Sequence, residues 1–293
     1  MQATRRSLSD GRWHFQHGPI DLVLQVDGDE AACQQALSAA WARFQNILPE
    51  LVRELPLLRS PVDHLQENSL HGPVARRMQQ AAHDLAWATP DGFVTPMAAV
   101  AGAVAQEVLD LLAVQGVRRA SVNNGGDIAL FLQRGQSWRV GLVSDLPRAL
   151  AGDALQRLTT DGQFEVHHDM PVRGVATSGW GGRSFSFGVA DSVTVLAETA
   201  AQADVAATLI ANAVNLQHPG IVRRPANSLR DDTDLGDRWV TVDVPRLPPD
   251  QVQAALQLGL DCARDMQARG QLHAACLCCQ SQRALVHPME CLV

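Results

Sequence analysis

The chain has 293 residues, 46% apolar and 19% charged, with a net charge of −7 at pH 7; that is enough for one large or two small domains, and no apolar run reaches membrane-spanning length. All 24 basic residues are arginine and tyrosine is absent, which excludes lysine Schiff bases, a P-loop lysine and a tyrosine general acid. Scattered arginines on an acidic chain argue against a nucleic-acid partner, and the first residues carry two arginines without a following apolar segment, so no secretory signal is read and a cytoplasmic protein is expected.

Residues 12–26 read as two extended pieces, Arg12 to His17 and Ile20 to Val26, joined at Gly18-Pro19. A helix is expected from about Glu30 to Gln45 after the start signal Asp27-Gly28-Asp29, and a second from Ile47 to Leu55, stopped by Pro56. Residues 56–70 read as loop. A third helix spans about Gly72 to Ala88, with Pro73 in its first turn. After the turn Thr89-Pro90-Asp91-Gly92 comes an almost uncharged Ala/Gly helix from Met97 to Gly116. Its small-residue face suits either tight helix packing or the close approach of a ligand.

Arg118 to Val122 is expected as a strand, broken at Asn123-Asn124-Gly125-Gly126-Asp127 and resumed from Ile128 to Gln133. The break fits a hairpin turn and fits equally a ligand lying on exposed amides. Trp138 to Val143 reads as a strand, and residues 144–171 as irregular or weakly helical, with a solvated His167-His168-Asp169. A Gly-rich loop, Gly174 to Gly188, then leads into a strand, Ser192 to Leu196, and an Ala-rich helix from about Thr199 to Asn215. Asp204, Thr208 and Asn212 recur every four residues and share one face of that helix. Such a trio is compatible with a solvated stripe or with a hard-cation site facing the loop.

Residues 218–238 are polar and turn-rich. Trp239 to Val244 reads as a strand, Pro248-Pro249-Asp250 starts a helix to about Ala268, and a Cys-rich strand and a final strand, Ala284 to His287, close the chain. Cys276 and Cys279 form a C-x-x-C, with His273, His287 and Cys291 near. The run LHAACLCCQ lacks the Gly-bearing turn of a zinc knuckle and reads as a buried strand with core thiols. Strands and helices mix without strict βαβ alternation, which predicts an α+β fold, a mixed or antiparallel sheet with packed helices.

The segments GPID (18–21), GPVARRM (72–78), DGFVTPMAAVAGAVA (91–105), VNNGGDIAL (122–130), GVATSG (174–179), ADSVTVLA (190–197), ADVAATLIANAV (203–214) and DTDLGDRWVT (232–241) resemble the ApbE-like superfamily. Its best-known members are FAD-dependent protein FMN transferases, and the closer likeness is to a shorter family within it. The resemblance covers nearly the whole chain in order. It implies one ApbE-like domain over residues 1–293, at most two closely packed halves. It also implies a Mg²⁺ site from Asp204, Thr208 and a carbonyl near Ala98. A nucleotide cradle from Asn123, Asn124, Gly125, Gly126, Asp127, Thr177, Ser178 and Gly179 follows, with FAD or a related molecule as ligand. The same likeness points to one-carbon carrier (tetrahydromethanopterin-type) metabolism, and the apolar helices are compatible with a homodimer. Three departures separate the chain from the transferases. Ala101-Gly102 stands where they carry Lys-Gly or Glu-Gly, the interval WGGRSFSFGVA lacks their His-x-x-Asp-Pro, and no tyrosine can face a flavin ring. The expected function is therefore a Mg²⁺-assisted enzyme on a phosphate-containing, flavin- or pterin-like ligand. A non-catalytic binding module and a flavin transferase are the alternatives.

Overall fold

The computed structural model describes residues 2–65, 69–142 and 162–286. Nine strands form one antiparallel sheet in the order β1-β2-β3-β4-β5-β8-β9-β12-β13. They are β1 (Thr4–Ser7), β2 (Trp13–His17), β3 (Ile20–Gly28), β4 (Val117–Asn124), β5 (Asp127–Leu132), β8 (Gly174–Ser178), β9 (Ser192–Ala197), β12 (Ala274–Cys279) and β13 (Gln282–Val286). Two hairpin-like pairs stand apart from it, β6 (Ser137–Leu142) with β7 (Gly162–His167), and β10 (Val222–Pro225) with β11 (Trp239–Asp243). The α+β expectation is met, with every pairing antiparallel.

The helices are α1 (Glu30–Arg53), α2 (Leu55–Leu58), α3 (Pro73–Leu85), α4 (Val100–Asp110), α5 (Ala200–Ala213) and α6 (Pro249–Ala268). The main core lies between them and one face of the sheet. A smaller core forms on the other face, where Val140, Phe164 and Val166 of β6 and β7 cover Leu130, Val175 and Leu196. Strand β9, covered on both faces, is buried at all six positions, which explains its unbroken SVTVLA sequence. No helix among the described residues is long and apolar enough to cross a membrane.

Several elements differ from the sequence reading for physical reasons. The two helices expected before Pro56 are one helix, α1, running through Pro49. Its buried stripe Ala36, Ala40, Phe44, Ile47 and Leu51 keeps helical spacing across the proline, so packing outweighs the lost hydrogen bond. Residues 144–171 contain strand β7, whose alternation buries Phe164 and Val166; the rest of that stretch up to residue 161 lies outside the described residues. The Ala/Gly helix starts as a 3-10 turn, Pro96–Ala99, and ends at Asp110 instead of Gly116. Strand β10 occupies part of a stretch read as polar and turn-rich, and β1 precedes the first expected element.

Cys276 and Cys279 are both buried on β12. Three positions apart on a strand, their side chains point to opposite faces, so they cannot share one ion. Burial pushes the Cys279 thiol up to about 12, and that of Cys262 up to about 11. Both behave as core thiols. His287 and Cys291 lie outside the described residues.

Candidate functional site

Helix α5 fills the centre of the molecule, packed on β8, β9 and α4. From Ala203 to Ala211 every residue is buried except Asp204 and Thr208, which keep partial access. The polar trio is therefore an opening in a buried helix, not a face in bulk solvent. Its members have different tasks. Asp204 reaches the start of α4, where its Oδ2 accepts from the Gly102 N–H at 2.9 Å and the Ala101 N–H also donates to the carboxylate. It thus caps the first turn of a neighbouring helix, where the helix dipole favours an anion. Asn212 accepts from the Ser186 hydroxyl at 3.0 Å and the Phe187 N–H at 2.9 Å, fixing the end of the Gly-rich loop. Thr208 lies between them.

This contact needs a glycine at 102. A methyl there would fall 2.2 Å from the carbonyl oxygen of Ala200, so only a bare α-carbon lets the start of α4 come this close to α5. The 3-10 turn carrying Ala98 also packs on α5, and its N-terminal Thr95 donates to Asp234 at 2.5 Å.

The NNGGD segment closes the β4–β5 hairpin. Asn123 Oδ1 accepts from the Gly126 N–H at 2.8 Å, and the buried Asn124 donates to the carbonyl of Ala101 at 3.1 Å. That bond ties the turn to the same end of α4 that Asp204 caps. Asp127 accepts from the Thr177 N–H at 3.3 Å, and the Thr177 and Thr194 hydroxyls bond at 2.8 Å. Ser178 pairs with Val193 where β8 ends, and Gly179 follows it. The turn, the start of α4, Asp204 and the end of β8 are thus linked by hydrogen bonds and ladder contacts.

One relation was not expected. Asp127 and Asp204 lie close enough to repel. Burial first, then the Asp127 charge, raises the Asp204 carboxyl well above the carboxylate range, against the lowering pull of the Gly102 and Ala101 amides. Burial pushes Asp127 up to about 7, opposed by the Thr177 N–H and by the charge of Arg183. Two buried carboxyl groups that repel each other cannot both ionise at low cost unless a cation or proton joins them. No motif signals this, because Asp127 looked like part of a phosphate turn and its partner is on a distant helix.

Among the described residues no three His, Cys, Asp or Glu side chains converge as a metal site. A cation here would need mixed oxygen donors. Replacing Asn212 by Ala should cost about 1–3 kcal/mol by stranding the Ser186 and Phe187 donors, with recovery in Asn212→Asp; urea denaturation measures both.

Comparison with known proteins places residues 5–285 under the family model described as AbpE bacteria. The UPF0280 protein of Methanosphaerula palustris is 36% identical over 212 residues, covering 72% of this chain and 79% of that protein. That of Methanospirillum hungatei is 32% identical over 209 residues, 70% and 76% of the two chains. The UPF0280 protein of Methanothermobacter thermautotrophicus matches at 41% identity over 145 residues, about half of each chain (49% and 50%). Among solved structures, the apo flavinyl transferase ApbE of Pseudomonas stutzeri aligns over 97% of this chain and 93% of its own, at 14% identity and TM-score 0.43. The ApbE protein of Thermotoga maritima aligns over 89% and 76%, at 14% identity and TM-score 0.36.

Proposed function

Because this chain belongs to the family described as AbpE bacteria, we propose that it is a Mg²⁺-assisted enzyme acting on a phosphate-containing, flavin- or pterin-like small molecule. The observation that carries this reading is the Asp127–Asp204 pair, set at the amide end of α4 beside a glycine turn. The donors are all hard oxygens. Asp204, Thr208 and a carbonyl near Ala98 would hold the ion, and Asp127 joins them because its carboxylate would repel a phosphate but attract a cation. Mg²⁺ takes few protein carboxylates and completes its shell with water and substrate phosphate. When bound, it would neutralise phosphate charge.

The chain's own groups do the rest. The amides of Ala101 and Gly102 fix the direction of Asp204. Asn123, which takes the Gly126 N–H, and Asn124 hold the glycine turn so that Gly125 would offer its backbone N–H, and Thr177, Ser178 and Gly179 would offer further donors to phosphate oxygens. FAD is the first ligand to test, and a tetrahydromethanopterin-type one-carbon carrier is a second within the same chemical class.

Thermal denaturation with and without Mg²⁺ and FAD tests the site. A ligand at one hundred times its Kd should stabilise the native state by about 2.7 kcal/mol. Asp204→Ala should erase the Mg²⁺-dependent part; an unchanged shift in that variant would rule out the cation site. Release of AMP from FAD tests flavin transfer separately. None is expected, because the chain lacks the His-x-x-Asp-Pro and tyrosine of the transferases, and Mg²⁺-dependent AMP release would restore that reaction.

A further inference from the structure

We propose that Arg183 is the cationic arm of this site, a ligand-binding residue that grips a phosphate group of the small molecule from the Gly-rich loop. The inference rests on the phosphate-ligand reading above and adds a residue and a subsite to it. In a chain without lysine, any side-chain cation offered to phosphate must be an arginine or a protonated histidine. Several arginines elsewhere in the fold are held in ion pairs: Arg43 and Arg77 share Glu107, Arg119 pairs with Asp27, and Arg238 pairs with Asp91. Arg183 is exposed and, among the described residues, makes no ion pair within 4 Å.

Its position is nonetheless defined. The Nη2 end of the guanidinium abuts the turn glycine Gly125. A methyl on that residue would sit 1.5 Å from Nη2, 2.5 Å from Cζ and 3.2 Å from Nη1. Gly125 has φ +68° and Gly126 φ +117°, so the turn is built from residues that favour glycine, and the missing side chain at 125 is the seat of the guanidinium. A methyl at Gly126 would touch nothing within 4 Å, so the space beside the seat is open. The arm itself follows Gly181 and Gly182, both exposed.

Arg183 thus brings a planar fork of N–H donors beside a glycine turn, a geometry that suits bidentate capture of phosphate oxygens. Asp127, at the end of the same turn, feels the charge of the arginine and in turn acts on Asp204. The ligand would therefore be held at two positive poles, the arginine and the cation, as a phosphoanhydride requires.

Equilibrium binding of FAD in Mg²⁺, with riboflavin as the probe that lacks phosphate, tests the assignment. Arg183→Ala should weaken FAD binding roughly 10- to 100-fold, the range for losing a charge-assisted contact, and leave riboflavin binding and the unliganded Tm unchanged. Arg183→Lys should recover part of the loss. Gly125→Ala should dislodge the guanidinium and weaken FAD, and the double variant should be no worse in FAD binding than Arg183→Ala. If Arg183→Ala binds FAD like the wild type while Asp204→Asn does not, the inference falls and the cation reading stands. An equal loss for riboflavin also overturns it, because the contact would then be with the ring. If the wild type binds neither probe, the phosphate-ligand reading falls and this inference with it.

Discussion

Without divalent cations, the protein should lose stability as the pH rises from about 4 to about 7, and Asp127→Asn should remove part of that loss. The native carboxyl of Asp127 is raised to about 7 from the ordinary 3.8, chiefly by burial. Between those values the unfolded chain has released a proton that the native chain keeps. Raising the pH therefore favours unfolding; the stability present below the unfolded value is lost as the pH passes the native one. Asp204 moves in the same direction, pushed by burial and by Asp127. The Thr177 N–H, Arg183 and the Gly102 and Ala101 amides oppose the shifts. Both carboxyl groups retain some solvent access, so the expected loss is discounted to roughly 1–3 kcal/mol. Asn at 127 keeps an acceptor for Thr177 and removes the charge. Urea unfolding at pH 4.5, 6 and 8 in EDTA measures the slope. Saturating Mg²⁺ should flatten it, and a slope identical in wild type and Asp127→Asn would dismiss the acid pair as its source.

The second large effect is expected at Gly102. Alanine ordinarily stabilises a helix over glycine by about 0.5–1 kcal/mol. Here the sign should reverse, to a loss of about 3 kcal/mol. The added methyl would meet the Ala200 oxygen at 2.2 Å, its carbonyl carbon at 2.5 Å and the Ala201 nitrogen at 2.9 Å. All three are backbone atoms, so no rotamer relieves the clash and α4 must move away from α5. The Gly102 N–H would then leave Asp204, so Gly102→Ala should weaken any Mg²⁺-dependent thermal shift as well as the Tm. An unchanged Tm would show that the two helices do not pack this closely.

Local chemistry was legible in the sequence where a pattern repeats or a turn has a fixed cost. The Asn-Gly hairpin, the β9 run and the helical spacing of Asp204, Thr208 and Asn212 all appear as read. What one chain could not display was which neighbour each polar group meets. Asn212 belonged by spacing to the cation stripe, yet it holds a loop. Asp127 belonged by motif to a phosphate turn, yet it opposes Asp204. Arg183 had no motif, since its role depends on the empty side-chain position of Gly125. The continuous α1 was hidden because the apolar spacing was read as ending near Gln45, whereas the buried stripe runs on through Ile47 and Leu51. Strand β7 was hidden because its partner lies across a long insertion.

The order of the large sheet governs how the chain can assemble it. Along β1-β2-β3-β4-β5-β8-β9-β12-β13 the strand numbers only increase. The sheet can therefore grow at one advancing edge, and no strand has to be threaded between two that have already paired. The acid pair spans this growth. Asp127 begins β5, whereas Asp204 arrives on α5 after β9, so the crevice closes only when the advancing edge has passed β9, with β12 and β13 still to come.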